Sequence, residues 1–316
     1  MSPTDPLDLS PYNIDTLWLN QAPAPRTLLV VYAHPDDESF GNAGTLARYA
    51  AEGVAVHYAC ATRGECGGVA PELLDGYADI AALRSAELAC AAQALGLAAV
   101  HFLGYRDSGM AGSPDNQHPN ALVQAAPNHV AGQVVALIRA LRPQVILTFG
   151  PYGGYGHPDH IAVHQATRAA FDAASDETCY PEQIVAGLAA WTPARLYYST
   201  VGVRLLRVGV AVMRLLGRDP RRAGQNGDID VQRMVEETTP VTTVVDGGAY
   251  LAHKERAWRC HRSQLGGIGR VLEMPGPLRR LWMRDEQFTR VVPAWQGGAR
   301  ERDLFADSII EDYIRS

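Results

Sequence analysis

One imidazole and three carboxylates crowd into His34-Pro35-Asp36-Asp37-Glu38. A second group, His157-Pro158-Asp159-His160, with His164 further on, uses the same side-chain types. Imidazole and carboxylate together are the donors of a divalent metal such as zinc. A hydrolytic site needs about three of them and leaves one position open for water. His34 and Asp37 are close enough in sequence for one turn to curl both onto a single ion. Asp36, between them, points differently and is free to take a proton from water. In the second group, His157 pairs with His160 at i, i+3, and His160 with His164 at i, i+4; either pair fits one helix face. Spacing alone leaves all three histidines open. The chemistry implied is metal-assisted hydrolysis with a carboxylate base.

Such a cluster needs a rigid frame. Residues 27–33 are a short apolar run that reads as a buried parallel strand ending at His34. Residues 41–52 then read as a helix closed by Gly53. A second strand over 54–61 stops at the glycine-rich loop 62–68. The alanine-rich helix 79–95 is closed by Gly96, and a strand over 100–103 follows it. Helix 130–141 has Pro143 just beyond, and strand 145–149 runs into the glycine-rich stretch 150–160 before helix 161–174. This alternation predicts an α/β fold, a Rossmann-like and mostly parallel sheet with helices on both faces. Every chemically capable loop follows a strand, so the metal site is expected at the strand C-terminal ends.

The later chain is less regular. Strands are expected at 195–200 and 241–245, a helix at 250–262, a loop at 218–230 and an amphipathic tail at 303–314. Residues 201–217 read as a helix with Arg204, Arg207, Arg214 and Arg218 on one side. Its expected role is a surface helix packed on the body.

Composition sets the outer bounds. The 316 residues are 47% hydrophobic and 20% charged, as in an ordinary globular protein. A net charge of −6 gives nucleic acid no electrostatic footing. The cysteines are odd in number and widely spaced, without a CxxC pair. No disulfide framework is therefore expected, and a cytoplasmic location is. Residues 1–25 are polar and proline-rich, unlike a signal peptide. They are expected to form an extension that docks Tyr12, Leu17, Trp18 and Leu19 on the body. Residues 26–316 are expected to be one domain with an insertion near 200–235. No apolar stretch approaches the roughly 20 residues that cross a bilayer.

His34-Pro-Asp-Asp-Glu38 and His157-Pro-Asp-His160, in this order, resemble the paired motifs of the PIG-L/LmbE zinc deacetylases, a likeness running from about residue 27 to 174. It recurs weakly at Lys254…His261-Arg-Ser-Gln264 and Glu301-Arg-Asp-Leu-Phe-Ala306. Arg106-Asp-Ser-Gly-Met110 and Gly153-Gly-Tyr-Gly-His157 are most similar to the mycothiol-pathway members, the GlcNAc-inositol deacetylase and the mycothiol conjugate amidase. The resemblance implies zinc, with iron(II) as the alternative, held by His34, Asp37 and His160. It makes Asp36 the general base. His157 would stabilise the oxyanion and help to protonate the leaving amine, and Asp159 would orient His157. Tyr155 would sit over the acetyl carbonyl. Arg84 and Asp107, with Arg106 and Met110 beside them, would meet the sugar. His164 would pack, Glu38 would be structural, and Cys66 would be a small filler.

The implied reaction is removal of the N-acetyl group from a small N-acetylglucosaminyl compound in low-molecular-weight thiol biosynthesis, bacillithiol or mycothiol. Arg63 and Arg106 are candidates for meeting the anionic aglycone of a bacillithiol precursor. An amidase of thiol S-conjugates and a general GlcNAc-type deacetylase share the mechanism. A metal phosphoesterase would want two metals and phosphate-binding lysines or helix starts. A sugar-binding module would have no need of Asp36. The expected partner is a small molecule, with a homo-oligomer compatible and nucleic acid excluded.

Overall fold

The computed structural model describes residues 7–306 apart from 21, 23, 225, 226 and 267. Among the described residues, eight strands form one mixed sheet: β1 (Asp15–Trp18), β2 (Arg26–Tyr32), β3 (Val54–Thr62), β4 (Ala99–Tyr105), β5 (Val145–Phe149), β6 (Arg195–Thr200), β7 (Thr243–Asp246) and β8 (Asp285–Val292). The helices are α1 (Asp37–Ala51), α2 (Ile80–Leu95), α3 (Pro127–Leu141), α4 (Gly153–Gly156), α5 (Pro158–Ala173), α6 (Pro181–Val185), α7 (Val203–Leu215), α8 (Val231–Glu237), α9 (Leu251–Cys260) and α10 (Gly276–Met283).

The strand order is β1-β4-β3-β2-β5-β6-β8-β7. The central run from β4 to β6 is parallel, and β1, β8 and β7 are antiparallel additions. β2 lies in the middle, with Leu28, Leu29, Val30 and Val31 all buried, which is why its sequence is continuously apolar rather than alternating. From β2 the chain steps outward through α1 and α2 to β4. It then returns through α3 to β5, on the other side of β2. Right-handed crossovers therefore put α1 and α2 on one face and α3 and α5 on the other. The reversal falls between β2 and β5, the place where doubly wound sheets open a crevice at their carboxyl ends. Both histidine motifs follow these two strands.

Local chemistry explains the helix ends. The Asp79 carboxylate caps α2 by accepting from Ala82 N–H at 2.8 Å, and Gly96, at φ 74°, closes it. Helix α1 differs from the expectation. It starts at Asp37, inside the acidic cluster, and not at 41. It is also broken at Asn42. The Glu286 carboxylate caps the restarted helix, accepting from Gly44 N–H at 2.9 Å and Thr45 N–H at 2.7 Å. Lys254 Nζ neutralises Glu286 at 2.6 Å in the buried interior.

Other expectations need correction. Residues 15–18, taken as part of an extension, are the edge strand β1, paired with β4. Trp18 packs edge-on against His57 and His101. Strand β8 was not foreseen, because its Asp-Glu-Gln-Phe-Thr-Arg sequence buries the polar Glu286 beside Phe288. Helix α8 lies just beyond the expected loop. Cys90 and Cys260 form a disulfide joining α2 to α9, contrary to the all-thiol reading; Cys60, Cys66 and Cys179 are free. Helix α7 lies on the body through Leu206 and Val210, and Leu205, Val208 and Val212 are exposed. The tail at 303–314 falls outside the described residues from 307 onward. Among the described residues, no helix is long and apolar enough to cross a membrane.

Candidate metal and catalytic centre

β2 and β5 are hydrogen-bonded neighbours, so the segments after them meet over the sheet edge. The first is pinned by β3: Tyr58 Oη donates to His34 O at 2.8 Å, and Thr62 Oγ1 donates to Ala33 O at 3.0 Å. His34 N–H then donates to Asp37 Oδ2 at 2.7 Å, which closes the turn. Asp36 sits at φ 115°, a conformation that side-chain-bearing residues rarely adopt. In this turn the Asp36 carboxylate meets Arg84, while that of Asp37 faces His34 and His160. The second segment depends on Gly153, at φ 66°, where a Cβ would lie 2.8 Å from the Cβ of His160. With glycine there, Gly153 O accepts from His160 Nδ1 at 3.1 Å, and the His160 ring stacks on Phe149 with centroids 3.9 Å apart.

Three donors converge. His34 Nδ1 lies 3.1 Å from His160 Nε2 and 3.6 Å from Asp37 Oδ2, and His160 Nε2 lies 3.4 Å from Asp37 Oδ1. A tetrahedral ion with bonds of about 2.0–2.1 Å spaces its ligand atoms roughly 3.3 Å apart. The other ring nitrogens have partners of their own: His34 Nε2 faces Asp159 Oδ2 at 3.2 Å, and His160 Nδ1 faces Gly153 O. Those partners are acceptors, so they take the N–H of each ring. With both rings neutral, two lone pairs and a carboxylate face one point, an arrangement that a divalent cation satisfies. The donor set therefore fits a divalent metal such as zinc.

Asp36 stands beside this point. Burial pushes its carboxyl up to about 7, opposed by the Arg84 guanidinium and reinforced by the Asp37 carboxylate. Arg84, from α2, is buried. Its Nη2 donates to Asp36 Oδ2 at 3.0 Å and to Pro35 O, and its Nη1 donates to Gly64 O at 2.9 Å. The guanidinium that the resemblance sent to the sugar is thus occupied with Asp36 and two carbonyls.

His157 and Asp159 also divide their work differently from the expectation. The Asp159 carboxylate turns to His34 Nε2 and to Ser108 N–H, the latter at 2.9 Å. Only its backbone N–H serves His157, donating to Nδ1 at 3.2 Å. Asp159 is thus a carboxylate behind a candidate metal-binding histidine. Burial pushes the His157 imidazole below the usual histidine range, and its Nδ1 accepts from Asp159 N–H, which leaves Nε2 to donate. Tyr155 stands with its ring 5.0 Å from His160 and 6.0 Å from His157.

The remaining candidates form a shell around the centre. Asp107 is buried, with Oδ1 3.5 Å from His34 Nε2, and it orders its own loop by accepting from Gly109 N–H at 2.8 Å. Arg106, at the rim, pairs with Asp115 at 2.7 Å, and Met110 closes the same loop. Arg63 faces away, bound to Asp15 at 2.7 Å and stacked on Phe102. The Cys66 thiol is pushed up to about 12 by burial first and by Asp107 and Asp115, which leaves no thiolate nucleophile. His164 donates to Phe149 O at 2.9 Å and does not join the cluster.

Sequence reasoning gave His261 no individual role; its only signal was the weak likeness at Lys254…Gln264. His261 Nε2 lies 2.6 Å from Glu38 Oε1, both fully buried, and Glu38 Oε2 accepts from Asp36 N–H at 2.9 Å. His261, the residue that follows α9, thereby braces the strained turn that carries Asp36.

The chain matches the family described as "PIG-L: GlcNAc-PI de-N-acetylase" over residues 29–171. It is 38% identical over 292 residues to a 1D-myo-inositol 2-acetamido-2-deoxy-alpha-D-glucopyranoside deacetylase of Geodermatophilus obscurus, covering 89% of this chain and 97% of that protein. A protein of the same name from Streptomyces avermitilis is 38% identical over 289 residues, covering 89% and 96%. Among solved structures, the N,N'-diacetylchitobiose deacetylase from Pyrococcus horikoshii superposes with a TM-score of 0.57 at 19% identity, over 84% of each chain, which speaks for the fold.

Proposed function

Since the chain belongs to the PIG-L family, we propose that it hydrolyses the N-acetyl group of a small N-acetylglucosaminyl compound. GlcNAc-inositol is the first candidate, as a step in low-molecular-weight thiol biosynthesis. The observation that carries the reading is the convergence of His34 Nδ1, His160 Nε2 and Asp37 on one point with Asp36 alongside. We assign His34, Asp37 and His160 as ligands of zinc or iron(II). Such an ion supplies Lewis acidity, polarising the amide carbonyl and acidifying water.

The side chains do the rest. Asp36 takes the proton from the attacking water and returns it to the leaving amine, so one carboxylate serves as base and then as acid. Arg84 favours the ionised form of this carboxylate against the burial that pushes it up. His157 offers its Nε2–H to the carbonyl oxygen as charge develops there, a donor worth about 3–4 kcal/mol. Asp159 and Asp107 hold His34, and Tyr155 covers the carbonyl. Asp107, Arg106 and Met110 border the side we assign to the sugar. The described residues are read as one domain that includes β1, with the insertion near 200–235 at its rim, working on a small molecule in the cytoplasm.

Acetate release measured side by side on GlcNAc-inositol, GlcNAc-malate, free GlcNAc and a thiol conjugate tests this. Turnover of GlcNAc-inositol that chelation abolishes and zinc restores is the expected result. Cleavage of the thiol conjugate alone would overturn the deacetylase assignment.

A further inference from the structure

A cavity of about 250 Å³ opens beside the centre. Asp37, His160 and Tyr155 form its inner end, and Phe40, Phe149, Leu206 and Met234 line its length. Its outer wall comes from α7 and α8, the segment that looked like an insertion. Tyr152, Tyr155 and the exposed Glu237 also line it, and the three threonines that border it have partners of their own. Thr200 Oγ1 lies 3.0 Å from Thr238 Oγ1, which donates to Val201 O at 2.9 Å, and Thr239 Oγ1 lies 2.7 Å from Thr289 Oγ1. Between its polar ends the length of the space is walled by Phe40, Phe149, Leu206 and Met234, which suits a hydrocarbon chain better than a hydroxylated ligand.

Its position gives it a use. None of His34, Arg84, Arg106, Asp107 and His157 lines this cavity, although Asp107 lies 3.5 Å from His34 and Arg84 holds Asp36. An amide whose carbonyl lies over the three converging donors has its amine half on one side and its acyl half on the other. Polar groups that do not line the cavity suit the hydroxylated amine, and the apolar lining suits the acyl half. An acetyl methyl fills little of it. An apolar space of about 150 Å³ already holds benzene.

We propose that this cavity is an acyl pocket, and that the protein hydrolyses N-acyl glucosaminyl amides with saturated chains of about four to eight carbons. The inference rests on the deacetylase reading and extends it to a further substrate class. The step is balanced without another reactant. Oxygen from water bonds to the acyl carbon, the amide C–N bond breaks, and the proton passes through Asp36 to the amine. The products are the free amino sugar and a short-chain carboxylate.

The test uses the zinc-loaded protein and the N-acetyl, N-butanoyl, N-hexanoyl and N-octanoyl derivatives of glucosaminyl-inositol, with amine release as readout. Each buried methylene is expected to raise kcat/KM about three- to fourfold until the cavity is full. L206W and M234W, which fill the space, should lower the hexanoyl-to-acetyl ratio at least tenfold, with circular dichroism checking the fold. Calorimetric titration with hexanoate should show binding that both variants weaken by a similar factor. Turnover of the acetyl compound with a steady fall along the series would overturn the acyl pocket and leave the deacetylase reading standing. An unchanged ratio in the folded tryptophan variants would overturn it too. Failure to cleave the acetyl compound while longer chains are cleaved would overturn the acetyl assignment and support the pocket, and inertness towards every chain would overturn both.

Discussion

Replacing Asp159 by alanine separates two accounts of this centre. In the structure one oxygen, Oδ2, accepts from His34 Nε2 at 3.2 Å and from Ser108 N–H at 2.9 Å. Its removal frees the His34 ring to turn and weakens its basicity. Losing such a partner typically costs 10- to 100-fold in metal affinity, about 1.4–2.8 kcal/mol. Asp107 Oδ1, 3.5 Å from the same nitrogen, remains as a second acceptor, which places the expected loss near the lower end. Asp159→Asn should fall between alanine and wild type. Its amide oxygen can accept both hydrogen bonds but without the charge, and charge roughly doubles the strength of such bonds. The assay is equilibrium competition for zinc against a chelator of known affinity, followed by kcat at saturating zinc. The expected result is weaker zinc binding with most of kcat recovered once the site is filled. Zinc affinity within about threefold of wild type, with kcat still low at saturation, would refute the reasoning and return Asp159 to His157.

The other predictions address separate parts of the centre. Asp36→Ala should retain zinc and lose about 10²–10⁴ in kcat, the usual worth of a positioned base; wild-type turnover would remove Asp36 from the mechanism. His160→Ala should be isolated without metal and His164→Ala with it, so equal zinc content by atomic emission would sink the ligand choice. Gly64→Ala would place a Cβ 2.0 Å from Arg84 Nη1 at φ 70°, pushing the guanidinium off Asp36. A folded variant with a markedly lower kcat is expected, and unaltered kinetics would show that the Arg84 contact with Asp36 is dispensable. Lys254→Met leaves the Glu286 carboxylate buried without its cation, at a cost of about 3–5 kcal/mol by denaturant unfolding. A loss below about 1 kcal/mol would mean that the two capped N–H groups stabilise that charge unaided.

Much of the candidate centre was legible because its proposed ligands are local. His34 and Asp37 share one turn, and His157 and His160 share the start of one helix, so spacing along the chain already constrained their geometry. Strand β2 was legible for a similar reason, since a strand buried on both faces has a continuously apolar sequence. The edge strands were not. β1 is short and only half buried, and β8 carries Glu286 inward to cap a broken helix, a buried charge that reads as surface until Lys254 is seen against it.

The sequence by itself determined which residues can bind an ion and activate water, because those capacities belong to side-chain chemistry and to short-range spacing. Tertiary structure decided how the work is shared among them. Arg84 reaches Asp36 from α2, His261 braces Glu38 from just beyond α9, and Asp159 serves His34 across the junction of β2 and β5. Each of these contacts joins residues far apart in the chain. Their partners are selected by strand order and helix packing, which no local spacing encodes.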